Sequence, residues 1–385
     1  MLSTPKRRAN DNDKIISTRS ASKRAKKDEE DISFDFKYTL SNLGKYVFLS
    51  QSLTILFLQG LGLISKEKKC PDCSQLMVLK ADHDVDKYHW YCKCRSKTIT
   101  IRKNSFFENS KLQLSTIIKI VYCFFNNMPQ QYAIHEAEIS DDISKSSHTI
   151  IDWYNFSRDA CRESLFMNNQ QIGGPGVVVE IDESAFGKRK YNRGRIRQTQ
   201  WVFGGVERGS NKLFLVSVPN RSKKTLWPII TKYIKPGTTI ISDCWKSYKG
   251  LNGFNGYKHF TVNHSENFVD PTTGYHTNKI EGSWFHVKRH LPKTGAKRHL
   301  LNSYFYSFMY KRIYGKRQDG FKDFLQNIAK VFDPNSEQPN FYYDDSNNIP
   351  LYDQIQDIVG AEEDTDYEEY DDNDMDEINF FLFDN

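Results

Sequence analysis

Runs of apolar residues predict where this chain forms strands. Residues 177–182 are a β-branched run that ends on carboxylates, as expected of a central strand that carries an acid to the end of a sheet. Residues 198–206 and 213–218 are two further apolar runs, and the polar segment 207–212 between them has the composition of a turn. The pattern predicts three antiparallel strands.

Helical and strand patterns then alternate. Residues 226–234 predict a helix, residues 238–243 a fourth strand that again finishes on an aspartate, and residues 259–262 a short fifth strand. Residues 276–290 predict a closing helix. This order, with acids on the first strand, after the fourth strand and on the last helix, is the layout of a ribonuclease H-like nuclease core.

The region before these strands is largely helical. Residues 36–65 have the pattern of one or two buried helices, and residues 114–125, 129–137 and 147–162 predict three more with short polar connections. The last three resemble a helix-turn-helix unit, although an ordinary helical linker domain fits the same pattern. Glycine-rich residues 173–176 mark a domain boundary.

Four of the seven cysteines are crowded into one short region. Two thiolate pairs on tight turns can present four sulfurs to one Zn²⁺, with the residues between them forming a zinc ribbon that strand-like residues 98–102 would complete. The second pair is Cys-x-Cys instead of Cys-x-x-Cys, so His83 or His89 as substitute ligands, and buried free thiols, are alternatives. The four cysteines are Cys70, Cys73, Cys92 and Cys94.

The patterns predict an α/β (α+β) protein in which a zinc ribbon and a small helical, helix-turn-helix-like domain precede the ribonuclease H-like core. The predicted segments are a disordered basic arm (1–35), a helical segment plus zinc ribbon (36–108), a helix-turn-helix-like domain (109–172), a catalytic domain (177–315), a C-terminal extension (316–360) and an acidic disordered tail (361–385).

Charge is distributed unevenly along the 385 residues. The formal net charge is +6, but all 54 Lys and Arg residues lie within residues 1–330, together with 30 of the 48 acidic residues. The resulting net charge of +24 on that part indicates a polyanionic partner such as nucleic acid, with a merely soluble basic protein as the alternative. The sequence has neither the ~20-residue apolar run of a membrane-spanning helix nor a secretory signal, so we expect an intracellular protein without membrane contact.

Both ends of the chain are poor in apolar residues. Basic clusters at residues 6–8 and 23–27 fit a nuclear-import signal or a phosphate-binding arm. Residues 362–377 contain eleven acids and no basic residue. Docking of residues 380–383 on a partner and masking of the basic body by the tail are both open interpretations.

The predicted closing helix carries an unusual polar stripe. At 3.6 residues per turn, one face presents an amide, a carboxylate, an aromatic ring and an ammonium group. A solvated surface helix explains such charges equally well when the helix is considered alone. The residues of this face are Asn278, Glu281, Trp284 or Phe285, and Lys288.

Three acids are expected to converge at one end of the sheet: Asp182, Asp243 and Glu281. Their charges would repel one another unless cations lay between them. Two Mg²⁺ (or Mn²⁺) ions about 3.5–4 Å apart would relieve this repulsion and activate the attacking and leaving oxygens of a phosphodiester, without a side-chain nucleophile. Taken singly, either aspartate could be an ordinary turn residue.

Four motifs resemble the Merlin superfamily of DDE transposases and its bacterial insertion-sequence relatives, which have a zinc ribbon and an ISXO2-like DDE domain. The resemblance covers about residues 45–315 and implies that Asp182 and Asp243 are the first two catalytic acids. It leaves the third open, because family members use either an acid or an asparagine in the last motif. The motifs are residues 180–184 (Glu-Ile-Asp-Glu-Ser), 201–205 (Trp-Val-Phe-Gly-Gly), 241–248 (Ile-Ser-Asp-Cys-Trp-Lys-Ser-Tyr) and 276–288 (His-Thr-Asn-Lys-Ile-Glu-Gly-Ser-Trp-Phe-His-Val-Lys).

Glu281 is the preferred third metal ligand, since a carboxylate binds Mg²⁺ more strongly than an amide does. Asn278, one turn earlier, could still bind the metal or orient a water. Lys288, two turns beyond Glu281, is expected to contact phosphate at the same site.

A basic segment after the first strand is expected to grip the DNA backbone, with a solvated loop as the alternative. Trp245, Trp284 and Tyr248 are expected to pack within the protein and not to stack on bases. The basic residues are Lys188, Arg189, Lys190, Arg193, Arg195 and Arg197.

The resemblance implies a nuclear cut-and-paste transposase that binds terminal inverted repeats of double-stranded DNA, hydrolyses a phosphodiester and joins the 3′-hydroxyl to target DNA. Two Mg²⁺ (or Mn²⁺) ions and one structural Zn²⁺ would be its cofactors. A homodimer or higher oligomer on DNA is implied because two transposon ends must be paired. A domesticated DNA-binding protein without catalysis, and a structure-specific nuclease that cuts without joining, are the rival hypotheses.

Overall fold

The fold is taken from a computed structural model of the chain. It describes residues 34–137, 143–168, 171–187, 199–263, 274–292, 296, 298–315, 317 and 319–336. Several predicted features therefore lie wholly or largely outside the described residues, namely the basic arm 1–35, the six basic residues between 188 and 197, residues 337–360 of the C-terminal extension and the acidic tail 361–385.

Two short helices and a three-stranded antiparallel sheet form the amino-terminal part. Both helices begin after a hydroxyl residue that accepts a backbone N–H bond, from Asn42 to Thr39 at 3.2 Å and from Leu53 to Ser50 at 3.3 Å. The strands pair in the order β1-β2-β3. The elements are α1 Leu40–Tyr46, α2 Gln51–Gly60, β1 Val78–Ala81, β2 Tyr88–Cys92 and β3 Lys97–Thr100.

Strand β3 is shorter than the expected run over residues 98–102. It ends at Thr100 because Arg102 turns inward, where its guanidinium donates to both carboxylate oxygens of Asp86 at 2.6 Å. A bidentate ion pair of this kind fixes the connection that leads into the helical region.

The predicted helical region forms three helices, and two further helices from the C-terminal side pack on them. The third helix is longer than the predicted 147–162, and Phe166 in its last turn packs edge-on against Tyr306 of a later helix. The helices are α3 Leu114–Phe125, α4 Gln130–Ala137, α5 Ile143–Met167, α8 Leu301–Tyr314 and α9 Gly320–Val331.

A five-stranded sheet follows the order β6-β5-β4-β7-β8. The first three strands in sequence are antiparallel, as predicted, and β7 and β8 run parallel to β4. Helix α6 connects the antiparallel and parallel halves, and helix α7 follows the last strand. The elements are β4 Val178–Phe186, β5 Gln200–Glu207, β6 Leu213–Val218, α6 Lys223–Tyr233, β7 Thr239–Ser242, β8 Lys258–Thr261 and α7 Asn278–His290.

Strand β4 does not end on its carboxylates as the sequence pattern predicted. It continues through Phe186, because its antiparallel pairing with β5 extends to that residue, whereas its parallel pairing with β7 stops at Glu180. Asp182 therefore lies inside β4 but beyond the end of its pairing with β7. At Asp182, β4 is therefore paired with β5 on one side and is no longer paired with β7 on the other.

Buried apolar residues of both parts form one contiguous core among the described residues. Phe305 of α8 packs edge-on against Phe186 at the end of β4, and Phe324 of α9 packs against Phe124 and Phe125 of α3. The predicted mixed α/β class is confirmed by this arrangement of helices and sheets. Within the described residues, no helix has the length and apolar character needed to cross a bilayer.

Candidate active site

The register of the central sheet brings the first two predicted acids together. Glu180 of β4 pairs with Ile241 of β7, so the same register continued by two residues sets Asp182 level with Asp243. The backbone N–H of Trp245 donates to Asp243 Oδ1 at 3.0 Å and orients that carboxylate. Adjacent parallel strands are about 4.8 Å apart, which makes this end of the sheet a meeting point for negative charge.

Helix α7 lies across the same end of β4. The Trp284 indole N–H donates to Asp182 Oδ2 at 2.8 Å, and the Trp284 ring is 5% exposed. One turn earlier, Glu281 accepts a 2.7 Å hydrogen bond from the Thr277 hydroxyl. The tryptophan was expected to pack, and it does, but its N–H also holds the first acid in place.

The three acids interact electrostatically in this arrangement. Burial, together with the nearby charges of Asp243 and Glu281, raises the pKa of Asp182 to about 7, although hydrogen bonds from the Trp284 indole and the Glu183 backbone lower it. Carboxylates that oppose one another in this way provide a fitting ligand set for a hard divalent cation.

Asn278 and Glu281 differ in their surroundings. Asn278 lines a groove together with Gly282 and His286, on the side of α7 away from Trp284. Glu281 is the one whose charge acts on Asp182. The two side chains are exposed, and the sequence had placed them on a single helix face.

Lys288 lies two turns along the same side of α7 as Glu281. Its ammonium group is 5.6 Å from the centre of the Phe186 ring, at the end of β4, and the residue is exposed. Lys288, the residue predicted to contact phosphate, thus lies beside the end of the strand that carries Asp182.

A fourth carboxylate, Glu183, adjoins the acid cluster and was not predicted as a site residue. Burial and the charge of Asp182 raise the pKa of Glu183 to about 8, although a hydrogen bond from the Tyr248 hydroxyl lowers it. Tyr248 is buried, as expected, and the two residues lie 65 positions apart. In the sequence, the only indication that Glu183 belongs to the site is that it follows Asp182 directly at the end of an apolar run.

Glu180 is a second residue that the sequence reasoning missed. Its fully buried carboxylate accepts the backbone N–H groups of Lys279 at 2.8 Å and Ile280 at 3.0 Å, and so caps the first turn of α7. Arg208 donates to the other oxygen at 2.6 Å and also to the carbonyl of His276. A glutamate in an apolar strand, two residues before Asp182, was the available signal for a buried ion pair.

Gly204 of β5 pairs with Asp182 and allows α7 to approach the sheet. A Cβ atom there would lie 2.7 Å from the Trp284 ring and 3.0 Å from Leu215. We expect Gly204→Ala to lower the free energy of unfolding by about 1–3 kcal/mol, because the buried indole must move away from Asp182. Urea unfolding measures this change.

Gly44→Ala is the matched control for that substitution. Gly44 lies in α1 with no atom within 4 Å of an added Cβ, so alanine should leave stability unchanged or raise it by about 0.5–1 kcal/mol. Equal effects of the two alanines would contradict the proposed contact between β5 and α7.

The four predicted cysteines form one cluster. Their sulfur atoms all lie within 4.8 Å of one another, with Cys70 and Cys94 at 3.2 Å and Cys73 and Cys92 at 3.6 Å. Four sulfurs around a tetrahedral ion are about 3.8 Å apart, so the cluster can hold a metal ion such as Zn²⁺. His89 instead lies 2.7 Å from Asp82, and neither it nor His83 belongs to the cluster of described residues.

Comparison with known proteins finds similarity in the region of the larger sheet. A family profile described as an ISXO2-like transposase domain matches residues 172–312. An uncharacterized transposase-like protein of Haemophilus influenzae is 38% identical over 82 residues, which are 21% of this chain and 64% of that protein. The male abnormal protein mab-31 of Caenorhabditis elegans is 22% identical over 222 residues, covering 52% of this chain and 51% of that protein.

The matched region contains all five strands of the larger sheet, the acid cluster and helix α7. The chain spans only 64% and 51% of the lengths of the two relatives, so the likeness concerns this region and not a whole relative. Residues 172–312 therefore match an ISXO2-like transposase domain, and the resemblance to insertion-sequence transposases that the motifs indicated is confirmed for this region.

Proposed function

We propose that this protein is a DNA transposase that binds the terminal inverted repeats of a transposon and catalyses Mg²⁺-dependent phosphodiester hydrolysis and strand transfer. The observation that carries the proposal is the convergence of Asp182, Asp243 and Glu281, in which the charges of the other two acids help to raise the pKa of Asp182 to about 7. Such mutual repulsion is the condition that divalent cations relieve.

The topology supports a ribonuclease H-like assignment for this domain. The third, second and first strands are antiparallel neighbours, and the fourth and fifth add on the far side of the first in parallel. The acid within the first strand, Asp182, and the acid that follows the fourth strand, Asp243, are then adjacent. The helix after the fifth strand provides the third.

Asp182, Asp243 and Glu281 would hold two Mg²⁺ ions. When bound, these ions would polarise the scissile phosphate and favour deprotonation of the attacking water or 3′-hydroxyl. The chain's own contribution is orientation: Trp284 holds Asp182, the Trp245 amide holds Asp243, and Thr277 holds Glu281. Lys288 would contact a phosphate beside them.

The DNA partner is proposed from charge and from the family. Residues 1–330 carry a net charge of +24, and the six basic residues between 188 and 197 follow directly on the strand that carries Asp182. Duplex DNA would be held along its phosphates. Pairing of two transposon ends would require a homodimer or higher oligomer, and the basic clusters at residues 6–8 and 23–27 would direct the protein to the nucleus.

We further propose that the cysteine cluster holds one structural Zn²⁺ within a zinc ribbon. We expect the purified chain to contain about one zinc ion per molecule. Cys92→Ser should remove most of it and lower the melting temperature, because one of four ligands is lost. Elemental analysis and thermal melting measure the two effects.

Cys244→Ser is the control, since Cys244 is exposed and outside the cluster. It should keep the zinc content of the unmodified chain. Full zinc content in Cys92→Ser would rule out the assigned ligand set.

The function is tested by incubating the full-length chain with Mn²⁺ and labelled transposon-end DNA. Cleavage followed by covalent joining of the labelled end to a target plasmid is expected. Cleavage without joining would instead indicate a structure-specific nuclease. Salt-sensitive binding without nicking would indicate a DNA-binding protein without catalysis, and either result would overturn the proposal.

A further inference from the structure

A large open groove lies on the side of α7 away from the acid cluster. Its volume is about 1410 Å³, and it runs between the α3–α4 connection on one wall and helices α7 and α8 on the other. The two walls come from the helical part and from the transposase domain. The α7 residues that line it are Asn278, Lys279, Gly282, Ser283, His286, Arg289 and His290.

The charged side chains in the described lining of the groove are all basic. None of the described residues that line it is Asp or Glu. None of its Lys and Arg side chains forms a salt bridge with a described carboxylate. These five cations are Arg158, Lys279, Arg289, Lys311 and Arg312.

The hydrogen-bond partners of these cations are neutral groups. Lys311 donates to the Asn127 side chain at 2.9 Å and to the carbonyl of Phe124, and Arg312 donates to the Ser283 hydroxyl at 2.8 Å. Burial lowers the pKa of Lys311 to about 7, and the charge of Arg158 contributes. The charges of Arg158 and Lys311 repel each other, and an anionic ligand would relieve that repulsion.

The facing wall adds polar groups without negative charge. The α3–α4 connection lines the groove with Asn126 and Asn127, and the first turn of α4 adds Gln130, Gln131 and Tyr132, of which Tyr132 is 64% exposed. Lys and Arg are donors only, and the amide groups can also donate. A ligand with many acceptors and no donors fits such a lining best.

Helix α7 has no side chain at the centre of the face that lines the groove, because residue 282 is glycine. Gly282 lines the groove, and an added Cβ there would meet no atom within 4 Å. A glycine inside a helix costs about 0.5–1 kcal/mol relative to alanine, so packing within the chain does not account for it. Its absence of a side chain lets a ligand backbone approach the helix.

We propose that this groove binds the sugar-phosphate backbone of duplex DNA, as a second contact surface that is separate from the acid cluster and shares helix α7 with it. The inference rests on the proposed function, because it takes DNA to be the partner. DNA bound here would contact the helical part and the transposase domain together. Because α7 also carries Glu281, the helix would link the position of the bound DNA to the position of that acid.

The test measures fluorescence anisotropy of a labelled mixed-sequence duplex with the full-length chain, over a range of salt concentrations and without added divalent metal. Each phosphate contact contributes about 0.9 to the slope of log affinity against log salt. Arg289→Gln and Arg312→Gln should each make the slope shallower by about 0.9, and the double variant by about 1.8. Arg289→Lys should restore most of the affinity because it keeps the charge.

Lys258→Gln is the matched control, since Lys258 is an exposed cation on β8, outside the groove lining. It should leave the slope unchanged. Arg289 is exposed and packs on the ring of Phe285, itself an exposed residue, so the melting temperature of Arg289→Gln should equal that of the unmodified chain. An unchanged slope in the folded double variant, or an equal loss in Lys258→Gln, would overturn the inference.

Failure of this inference is distinguishable from failure of the proposed function. If the unmodified chain cuts and joins DNA while the double variant binds with an unchanged slope, the groove assignment is wrong and the function stands. If the groove variants show a shallower dependence of log affinity on log salt but the unmodified chain never nicks DNA, the groove assignment is supported and the proposed catalysis is wrong.

Discussion

Asp182→Asn is expected to reduce Mn²⁺-dependent strand cleavage by more than about 100-fold, since even partners that orient a metal ligand are worth about 10–100-fold. Asparagine has the same shape and can still accept the Trp284 hydrogen bond that Asp182 accepts at 2.8 Å. It lacks the charge that a hard divalent cation requires. Time courses of cleavage of labelled transposon-end DNA measure the loss.

The same substitution should stabilise the metal-free protein. Burial, with the charges of Asp243 and Glu281, raises the pKa of Asp182 to about 7, above the value of about 3.9 in an unfolded chain. The folded state therefore holds this proton more tightly, and the carboxylate destabilises the fold increasingly as pH rises from about 4 to about 7. Asp182→Asn should melt at a higher temperature than the unmodified chain at pH 8, with a smaller difference at pH 5.

Two results would contradict this account in different ways. Cleavage at the unmodified rate by Asp182→Asn would show that the acid cluster is not the metal site. A melting temperature that does not rise at pH 8 would show that burial and the neighbouring acids do not destabilise the Asp182 carboxylate in the folded protein.

The parts of the fold that were predictable from sequence are those with local signals. Strands β4 to β8 and helix α7 follow apolar periodicity, and the cysteine cluster follows from the spacing of two pairs. The extension of β4 to Phe186 was missed because it depends on pairing with β5, not on the composition of β4. Strand ends are set by partners, and a single run of residues does not contain that information.

The unpredicted site residues act across long sequence separations. Glu180 caps a helix that begins about a hundred residues later, and Glu183 accepts from Tyr248, 65 residues away. Periodicity also placed Asn278 and Glu281 on one face, because they lie only about 60° apart around an ideal helix. Packing of Trp284 and the cap at Glu180 set the rotation of α7, which turns Glu281 to the acids and Asn278 to the groove.

Glu180→Gln is expected to lower the free energy of unfolding by about 3 kcal/mol, at the low end of the loss for removing one member of a buried ion pair. The Glu180 carboxylate is fully buried and accepts from Arg208 at 2.6 Å and from two backbone amides of α7. The amide of glutamine would direct N–H groups at one of those donors. Urea unfolding with linear extrapolation measures the change.

Glu180 is a positioning residue, so its loss should also weaken metal binding without removing a ligand. Helix α7 carries Glu281 in its first turn, beside the cap. We expect a roughly 10–100-fold weaker Mn²⁺ affinity for Glu180→Gln, measured by calorimetry well below its melting temperature. Loss of stability with unchanged Mn²⁺ affinity would show that the cap supports the fold and not the site.

Glu183→Gln is the matched control for the unfolding measurement, because it replaces a neighbouring, half-buried acid in the same strand. The pKa of Glu183 is raised to about 8 by burial and by Asp182, so at pH 7 the side chain is mostly protonated and glutamine is close to its neutral form. Its substitution should change the free energy of unfolding by less than about 1 kcal/mol. A loss equal to that of Glu180→Gln would mean that either acid of β4 is equally critical, and the specific role of the α7 cap would then be refuted.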